Sequence, residues 1–197
     1  YTTIDSAMQN SAISSVQNGL ESYDKRHGFR SPQNYKEIFP VNFFESTKKQ
    51  RLEIINSSLQ YPEYFSEDFI EEPLESVYTF LNSLTNTNTK FPAIIVSLQE
   101  KLWVLSGDRK AYQIDWTEDL AWARPYINEN RRGPKPKSFS EFLNEGDLVW
   151  VKRSKITSGL SLTQIPEIQG SMVALNPQTG AVKALIGGYD FFLSKFD

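Results

Sequence analysis

The sequence predicts an α+β fold, mainly an antiparallel β-barrel with added helices, flanked by an N-terminal helix and a C-terminal β-hairpin. Three observations predict it. Apolar residues recur at helical spacing in 5–23 and 73–84. From Phe91 the pattern changes to short β-branched runs punctuated by turn residues. Near the end, two apolar runs flank Asn176-Pro177-Gln178-Thr179-Gly180, which reads as a hairpin loop.

The first helix is expected over 5–23. Met8, Ala12, Val16 and Leu20 step by four, with Ile13 and Tyr23 alongside. Asp5 or Ser6 can cap it, and Ser6 with Gln9 has the spacing of a capping box. Gly28 and Pro32 break the run that follows. A weaker helical pattern over 44–59 uses Phe44, Leu52, Ile55 and Leu59. A better one over 73–84 uses Leu74, Val77, Tyr78, Leu81 and Leu84. Pro73 suits its first turn, where a missing N–H costs nothing. Thr85–Thr89 then forms a polar loop.

Ala93–Leu98, Lys101–Leu105 and Ala111–Asp115 read as a three-stranded meander, with turns at Gln99-Glu100 and Ser106–Arg109. Trp116–Tyr126 is irregular, and Asn128–Lys137 reads as a solvated loop. Ser138-Phe139-Ser140-Glu141 is a capping box opening a short helix that Gly146 ends. Asp147–Lys152 and Leu160–Ile165 resume the sheet, and Pro166 stops the latter or sets it at an edge. About five short strands between 91 and 166 suit an OB-like barrel. The final hairpin pairs Ser171–Leu175 with Ala181–Ile186. Its loop suits a type I turn with Pro177 at i+1 and Gly180 left-handed.

Composition bounds the chemistry. The 197 residues can bury a core without disulfides or metals. Lys+Arg is 21 and Asp+Glu is 24, so the net charge of −3 supplies no global field for nucleic acid or anionic membrane. There is no cysteine, which excludes thiolate nucleophiles and disulfides, and the single histidine, His27, excludes His-based zinc clusters. Neither common phosphate-cradling loop motif occurs. No apolar run approaches the roughly 18 residues that span a bilayer. Tyr1 opens the chain and Asp197 closes it after an apolar-rich run, so the sequence reads as a fragment of a longer protein.

Two segments are specific enough to identify a family. Ser161–Asp197, with G-S-M-V-A-L-N-P-Q-T-G-A-V-K-A-L-I-G-G-Y-D at 170–190, resembles the opening of the transpeptidase domain of class A penicillin-binding proteins, the bifunctional peptidoglycan synthases. Y-T-T-I-D at 1–5 and Y-D-K-R-H-G-F-R-S-P at 23–32 resemble the segment that enters that domain from the glycosyltransferase domain. F-P-A-I-I-V at 91–96, W-A-R-P-Y at 122–126 and G-D-L-V-W-V at 146–151 resemble landmarks of the OB-like domain inserted in the Gram-negative type 1a members. The resemblance covers nearly the whole chain and is thin over 36–90.

It implies three parts: 1–33 and 161–197 from the transpeptidase domain and 34–160 as the inserted OB-like domain. The parent would be anchored in the bacterial inner membrane and work in the periplasm. It would polymerise glycan strands and cross-link stem peptides through a serine acyl-enzyme. This region would dock an outer-membrane lipoprotein activator and couple the parent's other domains. It would use no cofactor and bind no nucleic acid, and touch membrane only through the parent's anchor. The alternative is an OB-fold module that binds glycan or nucleic-acid strands directly.

The transpeptidase chemistry needs S-x-x-K, S-x-N and K-[ST]-G. Two S-x-x-K matches occur, Ser22–Lys25 and Ser46–Lys49, and neither has the other two motifs to support it. The family's own nucleophile is expected beyond Asp197 and its glycosyltransferase glutamates before Tyr1, so no catalytic residue is assigned. His27 offers a proton shuttle or contact residue. The blander reading, a turn residue bonded to backbone or Asp24, is favoured because no nucleophile accompanies it. Trp103, Trp116, Trp122 and Trp150 offer a stacking platform or core, with Trp103 and Trp150 inside apolar strand patterns. Arg131, Arg132, Lys135 and Lys137 could touch an anionic partner or lipid head groups; in a loop with two prolines they read as solvated. Gly187-Gly188 marks a strand end, next to the active-site entrance in the family, or simply a bulge. The isolated final hairpin is expected to pack on the 5–23 helix, pair with another copy, or stay mobile.

Overall fold

The computed structural model describes residues 2–58, 74–87, 89–99, 101–154, 159–191 and 193. The first helix, α1, runs Ser6–His27. Asp5 caps it, its Oδ1 accepting from the Met8 amide at 2.9 Å. Gly28 ends it with φ +107, a conformation an L side chain rarely adopts. Of the expected stripe, Ala12 is buried but Met8 is 51% exposed.

The helix expected over 44–59 is two pieces. A 3-10 turn covers Phe43–Glu45, and α2 runs Lys48–Ser58. The division falls at Thr47, whose side chain and Gln50 form a capping box: Thr47 N donates to Gln50 Oε1 at 2.9 Å and Gln50 N to Thr47 Oγ1 at 3.4 Å. Helix α3 runs Glu75–Ser83. Leu59 and Pro73 lie outside the described residues.

Five strands make one antiparallel sheet: β1 Lys90–Ser97, β2 Leu102–Ser106, β3 Ala111–Ile114, β6 Leu148–Arg153 and β7 Leu160–Thr163. Their order is β3-β2-β1-β6-β7. The edge strands β3 and β7 approach within 8 Å between Cα atoms, so the sheet curls toward a barrel without a hydrogen-bonded seam. Central β1 is buried on both faces, which is why Ala93–Val96 reads as a continuous apolar run. Ala93 and Ile95 point into the barrel interior with Val104, Val149, Val151 and Leu162. Ile94 and Val96 point outward onto Ile55 of α2, Val77 and Leu81 of α3, and Phe39 and Phe43. Pro92 sits where β1 has a single neighbour, before β2 joins at Ala93↔Ser106.

Two expectations for 128–146 are corrected. Arg131–Arg132 is not plain loop; it forms β5, paired with β4 Tyr126–Asn128. The short helix is a 3-10 turn, Phe139–Glu141, and the Ser138 hydroxyl makes no cap bond. Glu141 Oε2 instead accepts from the Lys137 amide at 3.0 Å, one residue too early for a capping box. Gly146 does not end that turn. It has φ +87 and lets Asn34 and Lys36 press close: a Cβ there would lie 2.4 Å from Lys36 Cγ.

The final hairpin is β8 Met172–Leu175 with β9 Val182–Ile186. Asn176 Oδ1 accepts from the amides of Gln178 and Thr179, and Gly180 has φ +71. Ala174, Ala184 and Ile186 pack on Ala12, Ile13 and Val16 of α1, one of the outcomes expected for it.

Candidate functional site, a buried polar joint

Helix α1 carries Gln17, Glu21 and Asp24 at helical spacing, so all three fall on one face. That face meets the first residue of β1, the chain leaving β7 and the chain leaving β9. The meeting place is polar and buried.

One half centres on Asp24, which is 4% exposed. Arg30 grips it with a fork, Nη1 to Oδ1 at 2.7 Å and Nη2 to Oδ2 at 3.2 Å. The same guanidinium donates to the Ile165 carbonyl at 2.6 Å and pairs with Glu167 at 3.0 Å. Gln164 closes the set. Its Nε2 donates to Asp24 Oδ2 at 2.6 Å and to the Gly28 carbonyl at 2.9 Å, and its Oε1 accepts from the Arg30 amide at 3.2 Å.

The other half centres on Lys90, whose side chain is wholly buried. Its Nζ lies 3.0 Å from Glu21 Oε1 and 3.0 Å from the Gln164 carbonyl, so Gln164 joins the two halves. The ammonium sits 4.9 Å from the centre of the Tyr189 ring. The Tyr189 hydroxyl donates to Glu21 Oε1 at 2.8 Å, and Lys152 Nζ stands 3.5 Å from Oε2. Gln17 donates to the Tyr189 carbonyl at 3.0 Å and Gln169 accepts from its amide at 3.3 Å.

The protonation equilibria follow from this packing. Burial alone would raise the Glu21 pKa, but Lys90, the Tyr189 hydroxyl and Lys152 together hold it below the ordinary carboxylate value. Burial pushes Lys90 below the ordinary lysine value, with Glu21 opposing. Burial and the Glu21 charge push the Tyr189 phenol well up. Chemically the cluster is a clamp. Its cations face carboxylates and carbonyls, and its buried lysine is covered. Among the described residues no group of three or more His, Asp and Glu side chains is arranged to hold a metal.

A second clamp ties α2 to the sheet. Arg51, 7% exposed, donates to the carbonyls of Ser46, Val96 and Phe44 and pairs with Glu145 at 2.8 Å.

The profile of the family described as "Penicillin-binding protein OB-like domain" matches residues 66–168. The chain belongs to this family. The five-stranded sheet, 90–163, falls inside the match and is its OB-like part. Penicillin-binding protein 1A of Vibrio cholerae is 37% identical over 203 residues, taking in 100% of this chain and 21% of its own length. Penicillin-binding protein 1A of Escherichia coli is 30% identical over 200 residues, again 100% of this chain and 20% of its own length. The chain thus spans about a fifth of the curated relatives it matches. The crystal structure of penicillin-binding protein 1A from Haemophilus influenzae shares the fold, with TM-score 0.60 over 99% of this chain and 23% of that one, at 22% identity.

Within this family member the residues singled out from sequence lie apart. Ser22 is exposed on α1, and Lys25 of its motif stacks over Trp122 at 5.0 Å. The Ser46 hydroxyl donates to the Phe43 carbonyl at 2.6 Å, and Lys49 of its motif faces Glu53. His27 lies in the last turn of α1, not in a turn after it, and its Nδ1 donates to the Tyr23 carbonyl at 2.9 Å. Trp103, Trp116 and Trp122 are half-buried at the margins of the two cores, while Trp150 alternates with buried Val149 and Val151 and faces away from them. Gly188 follows β9 and has Gln169 Oε1 3.1 Å from where a Cβ would be. The joint residues Glu21, Lys90, Gln164 and Tyr189 were not among those singled out. The one local signal was Lys90, a charge set directly against an apolar strand.

Proposed function

We propose that this chain is a docking and coupling region, without catalytic residues of its own, of a bifunctional peptidoglycan synthase combining glycosyltransferase and serine-type DD-transpeptidase activities. On this reading 34–160 is an OB-like domain inserted between transpeptidase segments 1–33 and 161–197. The parent is held in the inner membrane and works in the periplasm, and an outer-membrane lipoprotein activator docks here. One observation supports the coupling half. Lys90, on the barrel side, is bonded directly to Glu21 of α1 and to the Gln164 carbonyl in the segment after 160, and its ammonium lies over the Tyr189 ring after β9. A load on the barrel therefore reaches both flanking segments through short, buried bonds.

The test is calorimetric titration of the folded chain with the lipoprotein activator of the same bacterium. Saturable binding supports docking, and no binding to the folded chain removes it. Binding to glycan strands or single-stranded DNA, with none to the activator, would support the direct strand-binding alternative instead.

A further inference from the structure

We propose that the end of α1 and the β4–β5 hairpin together form a docking surface for an acidic polypeptide segment. The proposal rests on the docking reading above and gives it a location. The two elements are distant in sequence and adjacent in space. The amide of Phe29 donates to the Arg124 carbonyl at 2.7 Å, and the amide of Tyr126 to the Phe29 carbonyl at 2.8 Å. Tyr126 pairs with Arg132 across the hairpin. Both crowd Gly28, where a Cβ would meet Tyr126 Cα and Arg132 Cγ at 3.3 Å each.

The surface is cationic on an acidic chain. Residues 23–28 and 122–137 carry seven Lys and Arg against Asp24 and Glu129, whereas the whole chain has net charge −3. Asp24 is already neutralised by Arg30. Lys25 and Arg26 have a structural reason to be there, since cations at a helix C-terminus offset its dipole. Arg131 and Arg132 have no such reason, because β5 is a two-residue strand with no dipole to offset. The surface also exposes Tyr23 at 43%, Tyr126 at 42% and Ile127 at 49%. Two of the cations are pre-set on aromatic faces, Arg26 over Tyr23 at 5.5 Å and Lys25 over Trp122 at 5.0 Å.

This composition selects the partner. Arginine, tyrosine and tryptophan are the side chains enriched at protein hot spots, and an arginine fork matches a carboxylate. Lipid insertion would need a broad aliphatic face, and Ile127 is the one large aliphatic side chain exposed in these segments.

The experiment titrates the folded 197-residue chain with fluorescein-labelled oligoglutamate, and in parallel with vesicles of phosphatidylglycerol and phosphatidylethanolamine. Oligoglutamate should bind, more weakly as salt rises. The double variant Arg131→Glu, Arg132→Glu should weaken it roughly tenfold or more, and Tyr126→Ala by a few-fold. Lys49→Glu with Lys101→Glu, the same charge change at exposed sites elsewhere, should change it less than about twofold. Absence of binding, equal losses in both double variants, or vesicle binding that outlasts oligoglutamate binding and is lost with Arg131 and Arg132 would each overturn the proposal. The same variants against the lipoprotein activator separate the two readings. An activator that binds wild type and Arg131→Glu, Arg132→Glu alike leaves docking standing and overturns this surface. An activator that binds neither removes docking, and the oligoglutamate result still decides the surface.

Discussion

Lys90 Nζ stands 3.0 Å from Glu21 Oε1, with the lysine side chain wholly buried and the glutamate 19% exposed. A buried ammonium is tolerated only when its charge and donors are met, and here Glu21 and the Gln164 carbonyl meet them. Removing one partner should therefore cost more than removing both. Glu21→Leu should destabilise the chain by about 3 kcal/mol, because it strands the lysine charge. The double variant Glu21→Leu, Lys90→Met should lie closer to wild type. Urea denaturation of wild type, each single variant and the double gives the cycle. Additive losses would show that the pair does not act as a unit.

The same carboxylate sets a pH dependence. Its folded pKa is below the ordinary 4.5, so between those values the unfolded chain holds a proton that the folded chain lacks. Stability from this group is complete above 4.5 and drains away as pH falls through the depressed value. Glu21→Gln removes the titration while keeping the shape. Its urea midpoint should fall less steeply than that of wild type below pH 4.5. Parallel slopes would mean that Glu21 does not titrate differently in the two states.

Two of the positive-φ glycines, Gly28 and Gly180, make a contrast of strain with and without crowding. Gly28 has φ +107, and a Cβ there would lie 2.5 Å from the Arg124 carbonyl oxygen, which is backbone and cannot swing away. Gly180 has φ +71 and nothing within 4 Å. Gly28→Ala should cost about 2 kcal/mol or more, combining strain with a forced shift of the β4–β5 hairpin. Gly180→Ala should cost only about 1 kcal/mol. Equal thermal shifts for the two would mean that the Arg124 contact relaxes freely.

The sequence made the sheet legible because its strands carry local signals. Ala93–Val96 is apolar on both faces, and turn residues divide it from β2 and β3. The hairpin was legible from its Asn-Pro-Gln-Thr-Gly loop. The joint was not, because nothing local marks it. Asp24 looked like one charge in a charged run, and Gln164 like one polar residue in a strand pattern. Their burial comes from segments about 140 residues apart, and no periodicity reports a contact of that range. The division at Thr47 was legible in principle. Thr47 and Gln50 have capping-box spacing, but the apolar residues on either side drew the helix through it.

The two S-x-x-K matches are open to direct chemical test. In Ser46 the hydroxyl is spent on a backbone carbonyl, and in each motif the lysine stacks or pairs elsewhere. A fluorescent penicillin incubated with the folded chain should leave no covalent label. A label on Ser22 or Ser46, mapped by peptide mass, would overturn the proposal that this chain carries no catalytic residue.

The outer edge of β9 is covered by a side chain acting as a strand. Gln9 Nε2 donates to the Leu185 carbonyl at 2.9 Å, and Gln9 Oε1 accepts from the Leu185 amide at 3.0 Å, the two bonds that a neighbouring strand would make. Asp5 extends the cover with its amide on the Lys183 carbonyl at 2.9 Å, and Thr3 with its hydroxyl on the Val182 carbonyl at 2.7 Å. A two-stranded hairpin is marginal alone, and an open edge invites pairing with other chains. Gln9→Ala should therefore free the Leu185 amide and speed its hydrogen exchange by about tenfold, for a global cost of only about 1 kcal/mol. Amides of β1 should keep their protection, since β1 is paired on both sides by β2 and β6. If Leu185 exchange is unchanged, the apolar packing of Ala12 against Ala184 and Ile186 holds the hairpin without the carboxamide, and the edge is closed by shape alone.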